Sequence, residues 1–181
     1  MKFKTWLLFP LFGSLLTGCA GIPDGARAVN DFELDRYLGQ WYEIARLDHS
    51  FERDLDCVTA SYSLRDDDVI RVINRGYNLE KQEWNEAEGK AYFIDSENEG
   101  RLKVSFFGPF YGGYNVLELD DGYQWALVSG PSRDYLWILS RTPRLDPSVD
   151  KRLREQAARL DFPVEELIEV EQGAACPARD D

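Results

Sequence analysis

The sequence predicts an all-β domain, a sandwich or an up-and-down barrel of eight short strands, followed by one late helix. Three observations predict it. Short apolar or alternating runs recur through about a hundred residues, polar or Gly/Pro-rich connectors separate them, and only one long stretch has helical periodicity. Residues 41–47 form the first run. Residues 58–64 alternate larger apolar with small polar side chains and stop at Arg65-Asp66-Asp67-Asp68, after which residues 69–77 return as the other half of a hairpin. Residues 89–95, 101–107, 114–119, 123–130 and 135–141 complete the set. Asp146 can cap the helix, Pro147 suits its first turn, and Val149, Leu153, Ala157 and Leu160 form one apolar stripe. Phe162-Pro163 ends that helix, and residues 167–170 offer a last short strand.

Composition narrows the function. The 181 residues are 44% hydrophobic and 30% charged, which suits one folded domain. A net charge of −12 argues against a nucleic-acid surface. One histidine, His49, and three separated cysteines are too few for an ordinary zinc site, and neither a phosphate-binding Gly-x-x-x-x-Gly-Lys loop nor a Gly-x-Ser-x-Gly elbow is present. No cofactor and no catalytic residue is expected. His49 falls in the polar loop after the first strand and is read as an exposed, inert residue.

Residues 1–18 read as an export leader. Lys2 and Lys4 precede an apolar stretch from Trp6 to Leu16, too short to span a bilayer as a permanent helix. It ends in Leu16-Thr17-Gly18-Cys19, which is similar to a bacterial lipobox. That resemblance makes Cys19 the acylated mature N-terminus, and Ala20 after it implies sorting to the outer membrane, on its periplasmic face. Cleavage removes two lysines and no acid, taking the formal charge from −12 to −14. So acidic a body is repelled by anionic head groups, and attachment falls to the lipid. Residues 19–30 then read as lipidated N-terminus and tether, the eleven residues from Ala20 reaching at most about 36–40 Å. Export also places Cys57 and Cys176 in an oxidising compartment, where an even pair reads as a disulfide, the alternative being two free thiols.

Three separated motifs then carry a resemblance. Gly39-Gln40-Trp41-Tyr42-Glu43 resembles the Gly-x-Trp signature of the lipocalin family, and Ser140-Arg141-Thr142-Pro143 resembles its arginine signature. Asp120-Asp121-Gly122-Tyr123 is a weakened form of the signature between them. Residues 106–115 and 134–143 are similar to the bacterial, lipid-anchored branch of that family, relatives of apolipoprotein D. The resemblance implies an eight-stranded antiparallel up-and-down β-barrel with one C-terminal α-helix packed outside. It assigns residues 31–172 to the lipocalin domain and 173–181 to a tail. It also implies that Gly39, Trp41 and Arg141 close the barrel and that Cys57 bonds Cys176.

In such a barrel, side chains alternate inward and outward. With Lys90, Lys103, Arg71 and Arg75 facing water, the lining becomes Val58, Ala60, Tyr62, Val72, Asn74, Gly76, Ala91, Phe93, Val104, Phe106 and Trp137. Family alignment adds Tyr114 and Val116, against the parity of Glu118. Ala60, Gly76 and Ala91 are small and are expected to leave volume unfilled. Such a lining favours an acyl chain, because burying apolar surface is worth roughly 25 cal/mol per Å². The resemblance implies a carrier of fatty acids or lysophospholipids at the outer membrane. The other readings are an interaction lipoprotein with a filled barrel and a lipocalin-type isomerase. Arg53 and Arg133 are weighed as head-group contacts, and exposed Phe110 and Tyr111 as a membrane lip or a homodimer contact.

Overall fold

The computed structural model describes residues 20–178; the leader, Cys19 and residues 179–181 lie outside them. Eight antiparallel strands form a barrel: β1 (Gly39–Arg46), β2 (Leu55–Leu64), β3 (Ile70–Asn78), β4 (Glu83–Phe93), β5 (Arg101–Ser105), β6 (Gly112–Leu119), β7 (Trp125–Ser129) and β8 (Leu136–Ser140). Each strand pairs with its successor, and β1 pairs with both β2 and β8, so the barrel wall has no free edge. A short helix, α1 (Leu34–Tyr37), precedes the barrel, and α2 (Pro147–Arg159) packs outside it. A two-residue strand, β9 (Ile168–Glu169), adds to β1 at Ala45 and Arg46.

Strand direction gives the barrel two ends. β1 begins at the floor, beside Trp41, and rises to the mouth at Arg46. The loops at the mouth are therefore residues 47–54, 79–82, 106–111 and 130–135.

Two chemical patterns hold the wall in register. Outside, Arg71 pairs with Glu88 and Arg75 with Glu86 across β3 and β4. Inside, Tyr62, Ile70, Val72, Ala91, Leu102, Val116, Ala126, Val128 and Leu139 form one buried cluster. A bulge between Val116 and Glu118 resolves the parity conflict on β6. It turns Tyr114, Val116 and Leu119 into the interior cluster and sends Glu118 outward, 3.4 Å from Arg152 of α2.

The second core lies between barrel and helix. Asp146 accepts a hydrogen bond from the Ser148 N–H at 2.8 Å, and Pro147 opens the helix. Leu153 and Ala157 are then fully buried against Ala45, Leu127, Leu136 and Ile138 on the outer wall. The tail is pinned beside β2: Cys57 and Cys176 are bonded, with Cα atoms 5.7 Å apart. Gln172 Nε2 donates to the carbonyls of Glu43 and Val58 at 2.9 and 2.7 Å.

Residues 20–30 do not hang free as a spacer. Asn115 Nδ2 donates to the Gly21 carbonyl at 3.1 Å, Arg133 Nη2 donates to that of Asp24, and the Val29 N–H donates to Val116 at 2.9 Å. Ala26 and Ala28 are buried, and Asn30 bridges to Glu99. The segment is a strap running from mouth to floor. Its alanines and Val29 fit the wall, which outweighs the freedom an unpacked tether would have kept.

Candidate functional site

The floor is sealed by the signature residues. The Arg141 guanidinium carbon lies 3.9 Å from the centre of the Trp41 ring. Its nitrogens donate to the carbonyls of Gln40 (2.9 Å), Arg36 (2.8 Å), Tyr37 (3.1 Å) and Tyr123 (3.2 Å). A charge stacked on an indole and bonded to four carbonyls is well satisfied without a ligand. Gly39 adopts φ 95, and an added Cβ there would press on Arg141 at 3.3 Å.

Above the floor, α1 inserts Tyr37, whose hydroxyl lies 2.6 Å from that of Tyr114; the Tyr62 hydroxyl donates to Tyr114 at 2.9 Å. Burial pushes all three phenols above their ordinary range, so they stay neutral. They form a polar shelf across the barrel that the alternation argument did not reveal, because Tyr37 belongs to no strand.

The predicted lining runs past that shelf: Phe106 and Trp137 lie toward the mouth, Tyr62 and Tyr114 belong to the shelf itself, and Phe93 and Val116 lie toward the floor. Ala60, Tyr62, Val72, Ala91, Phe93, Val104, Phe106, Tyr114, Val116 and Trp137 all belong to the interior cluster. Val58 lies against Gly76, and Asn74 pairs with Ala60 of that cluster, on β2 and β3. Gly76 opens no volume, because Leu55 and Val58 come within 3.1 Å of where its Cβ would be. Ala60, Asn74, Val104, Tyr114 and Trp137 point inward and are still only half-buried. The Asn74 Oδ1 atom is buried without a hydrogen-bond partner.

The mouth holds the largest departure from expectation. His49 is only 6% exposed, and its ring packs between Phe51, Tyr135 and Trp137. The loop of residues 47–54 folds inward, placing His49 Nε2 3.1 Å from Glu52 Oε2, and that oxygen accepts a hydrogen bond from Trp137 Nε1 at 3.1 Å. Arg46 binds Glu43 at 2.9 Å and donates to the carbonyls of Glu52 and Leu55, both at 2.9 Å. Burial and the neighbouring Glu52 charge push the Glu43 carboxyl well above its usual range, against the pull of Arg46. Burial also works to raise Glu52, but His49, Trp137 and Arg46 together outweigh it and hold that carboxyl low. The two carboxyls are thus pushed apart, Glu43 toward its protonated form and Glu52 toward its ionised one. The signal for Glu43 was in the sequence: it shares the parity of Trp41, two residues earlier. A bulge between Glu43 and Ala45 brings Arg46 to the same face, and no alternation rule predicts that.

Neither arginine weighed as a head-group contact is free. Arg53 pairs with Asp48 at 2.9 Å, and Arg133 donates to the carbonyls of Leu160 and Asp24.

Known proteins share this architecture. A lipocalin-like domain model matches residues 32–172. The outer membrane lipoprotein Blc of Vibrio cholerae is 55% identical over 159 residues, 87% of this chain and 93% of that protein. Its Escherichia coli K12 counterpart is 57% identical over 150 residues, 83% and 85%. Rat apolipoprotein D is 30% identical over 154 residues, 81% and 80%. Among solved structures, insecticyanin from the tobacco hornworm aligns with a TM-score of 0.69 at 22% identity, covering 86% of this chain and 88% of that one. Both Blc relatives are named as outer membrane lipoproteins. A matched domain across the whole barrel, with a cation stacked on the floor tryptophan, leads to one conclusion: the chain belongs to the lipocalin family.

Proposed function

We propose that this lipocalin reversibly binds a single-chain lipid, a fatty acid or a lysophospholipid, for storage or transport at the outer membrane. Cys19, which lies outside the described residues, is the acylated residue, and it holds the protein on the periplasmic face. The observation that carries the reading is the set of inward side chains that stay half-buried above a sealed floor. An interior packed solid would bury them as fully as Trp41 and Val116 are buried. The tyrosine shelf limits how deep a chain end reaches, and the half-buried wall of Ala60, Val104, Phe106 and Trp137 offers it apolar contact. In this reading no bond is made or broken: among the described residues, the hydroxyls of Tyr37, Tyr62 and Tyr114 are neutral and bonded to one another.

The test is a delipidated soluble form beginning at Ala20, titrated separately with a long-chain fatty acid and a lysophospholipid. Tryptophan quenching is the readout, with Trp137→Phe as the control. Saturable quenching that shrinks in the control is expected, and the tighter ligand names the lipid class. Folded, delipidated protein with no saturable response to either lipid overturns the reading in favour of a filled barrel.

A further inference from the structure

Asn74 is a polar side chain in an apolar setting. It lies on β3 at the inward parity, where its direct partners across the sheet are Ala60 on β2 and Ala87 on β4. The next inward residue below it, Val72, is buried in the interior cluster. Above it, Leu55 and Val58 close over Gly76. The Asn74 Oδ1 atom is buried and has no hydrogen-bond partner among the described residues. A buried amide oxygen left unpaired costs free energy, so an apolar side chain would serve the fold better at this position. Both flanking alanines stay half-buried, which leaves the wall beside the amide open to the interior.

A second polar group lies below it. Tyr62 is opposite Val72, which puts that pair about 7 Å further down the strands than Asn74 and Ala60. Three phenol hydroxyls of the shelf carry three protons, and the two bonds among them use two. Tyr62 donates to Tyr114, so the remaining proton belongs to Tyr37 or to Tyr114, which is itself half-buried. The interior thus holds one unused acceptor above one unused donor. A hydroxyl suits both, because it donates one hydrogen bond and accepts others. A carboxylate cannot donate to Asn74, and an ammonium cannot accept from the shelf.

Depth fixes where on a ligand that hydroxyl would lie. Asn74 is four residues below Asn78, the mouth end of β3, or about 13 Å of strand. A lipid whose head group stays at the mouth brings the middle of its acyl chain to Asn74. We propose that Asn74, with the tyrosine shelf beneath it, is a site for a hydroxyl carried part-way along an acyl chain, and that the preferred ligand is a fatty acid hydroxylated near mid-chain. A plain chain that expels water from the interior leaves the Asn74 oxygen unpaired, and a site built for a hydroxyl discriminates against the analogue lacking it for that reason. This inference rests on the carrier reading and names the chain chemistry within it.

The experiment uses the form beginning at Ala20, which keeps every described residue, and isothermal titration calorimetry with stearate, 2-hydroxystearate, 10-hydroxystearate and 12-hydroxystearate. At least one of the two mid-chain alcohols is expected to bind about tenfold or more tighter than stearate. The 2-hydroxy acid, whose hydroxyl stays beside the carboxylate, should bind as stearate does. Asn74→Leu, similar in size and without polar atoms, should keep stearate affinity within about threefold and abolish the mid-chain preference. Near-ultraviolet circular dichroism checks its fold, and Asn74→Ala, which adds no volume, repeats the test. Equal affinity for all four acids in the parent overturns the proposal while the carrier reading stands. A mid-chain preference that survives in both variants places the partner of the hydroxyl elsewhere and overturns it as well. An equal gain for 2-hydroxystearate puts recognition at the mouth, with the same consequence. Binding of none of the four acids also overturns it, and the carrier reading then turns on the separate lysophospholipid titration.

Discussion

Glu43 and Glu52 show how one residue pair sets the charge state of the mouth. Glu43 is held up by burial and by Glu52, while Glu52 is held down by His49, Trp137 and Arg46 against its own burial. A carboxyl with a raised midpoint supports folding most fully at acid pH and loses that support as pH climbs toward the raised midpoint. Glu52 works in the opposite sense: its support is present above the ordinary carboxylate range and is lost as pH falls through its lowered midpoint. Glu43→Gln, which copies the protonated form, is therefore expected to flatten the decline in thermal midpoint as pH rises above the ordinary carboxylate range. Parallel curves for the two proteins would show that Glu43 ionises normally. Arg141 supplies a second case. Lysine cannot serve four carbonyls and stack flat on Trp41, so Arg141→Lys is expected to cost about 2–4 kcal/mol in urea unfolding. A loss below about 0.5 kcal/mol would mean the floor closes without it.

At the scale of elements, legibility followed periodicity. β3 alternates, β2 does so after its bulge, β8 is a short apolar run, and α2 carries its cap, its proline and its stripe in the sequence, so all four were readable. β4 begins at Glu83 rather than near Gly89, because its first half puts Asn85 and Ala87 on the inner parity and Trp84, Glu86 and Glu88 on the outer one. That reverses the usual hydrophobic signal. α1 spans four residues and has no side-chain cap, too little for any pattern to register. The inward fold of residues 47–54 was invisible for another reason: His49 and Glu52 are polar and come within 3.1 Å of each other only after the loop closes. The inward-facing positions were legible because they sit on strands, whereas the shelf and the mouth cluster join residues from a helix, a loop and bulged strands. The helix gives the test. Leu153→Ala is expected to cost about 2–5 kcal/mol while leaving lipid affinity unchanged, because Leu153 packs on the outer face of the wall. Denaturant unfolding and a lipid titration measure the two effects, and a large affinity loss in folded variant would couple that outer core to the interior.

Across the whole molecule, the braces lie outside the barrel and the working surfaces lie inside it and at its mouth. The strap, α2, β9 and the tail cover the outer wall, and none of their side chains other than Val29 joins the interior cluster. The disulfide is the longest of these braces, spanning 119 positions from Cys57 to Cys176. In the chain-entropy model, closing so long a loop stabilises by about 5 kcal/mol, with less commonly realised. Cys57 sits at a bulge with φ 56, which turns its sulfur to the tail while its neighbour Val58 lies against Gly76 on the wall. Cutting the bond therefore removes a constraint on the unfolded chain without removing an inward side chain. The paired substitution Cys57→Ser, Cys176→Ser should lower the unfolding free energy by about 2–5 kcal/mol. Lipid affinity, read by tryptophan quenching well below the new midpoint, should stay within about threefold of the parent, a shift of under about 1 kcal/mol. Gln172 makes the outcome informative, because its side chain bonds the Glu43 and Val58 carbonyls from the tail. If freeing the tail also releases Gln172, the Glu43 segment loosens and affinity falls with the bond; if Gln172 holds by itself, stability and binding separate.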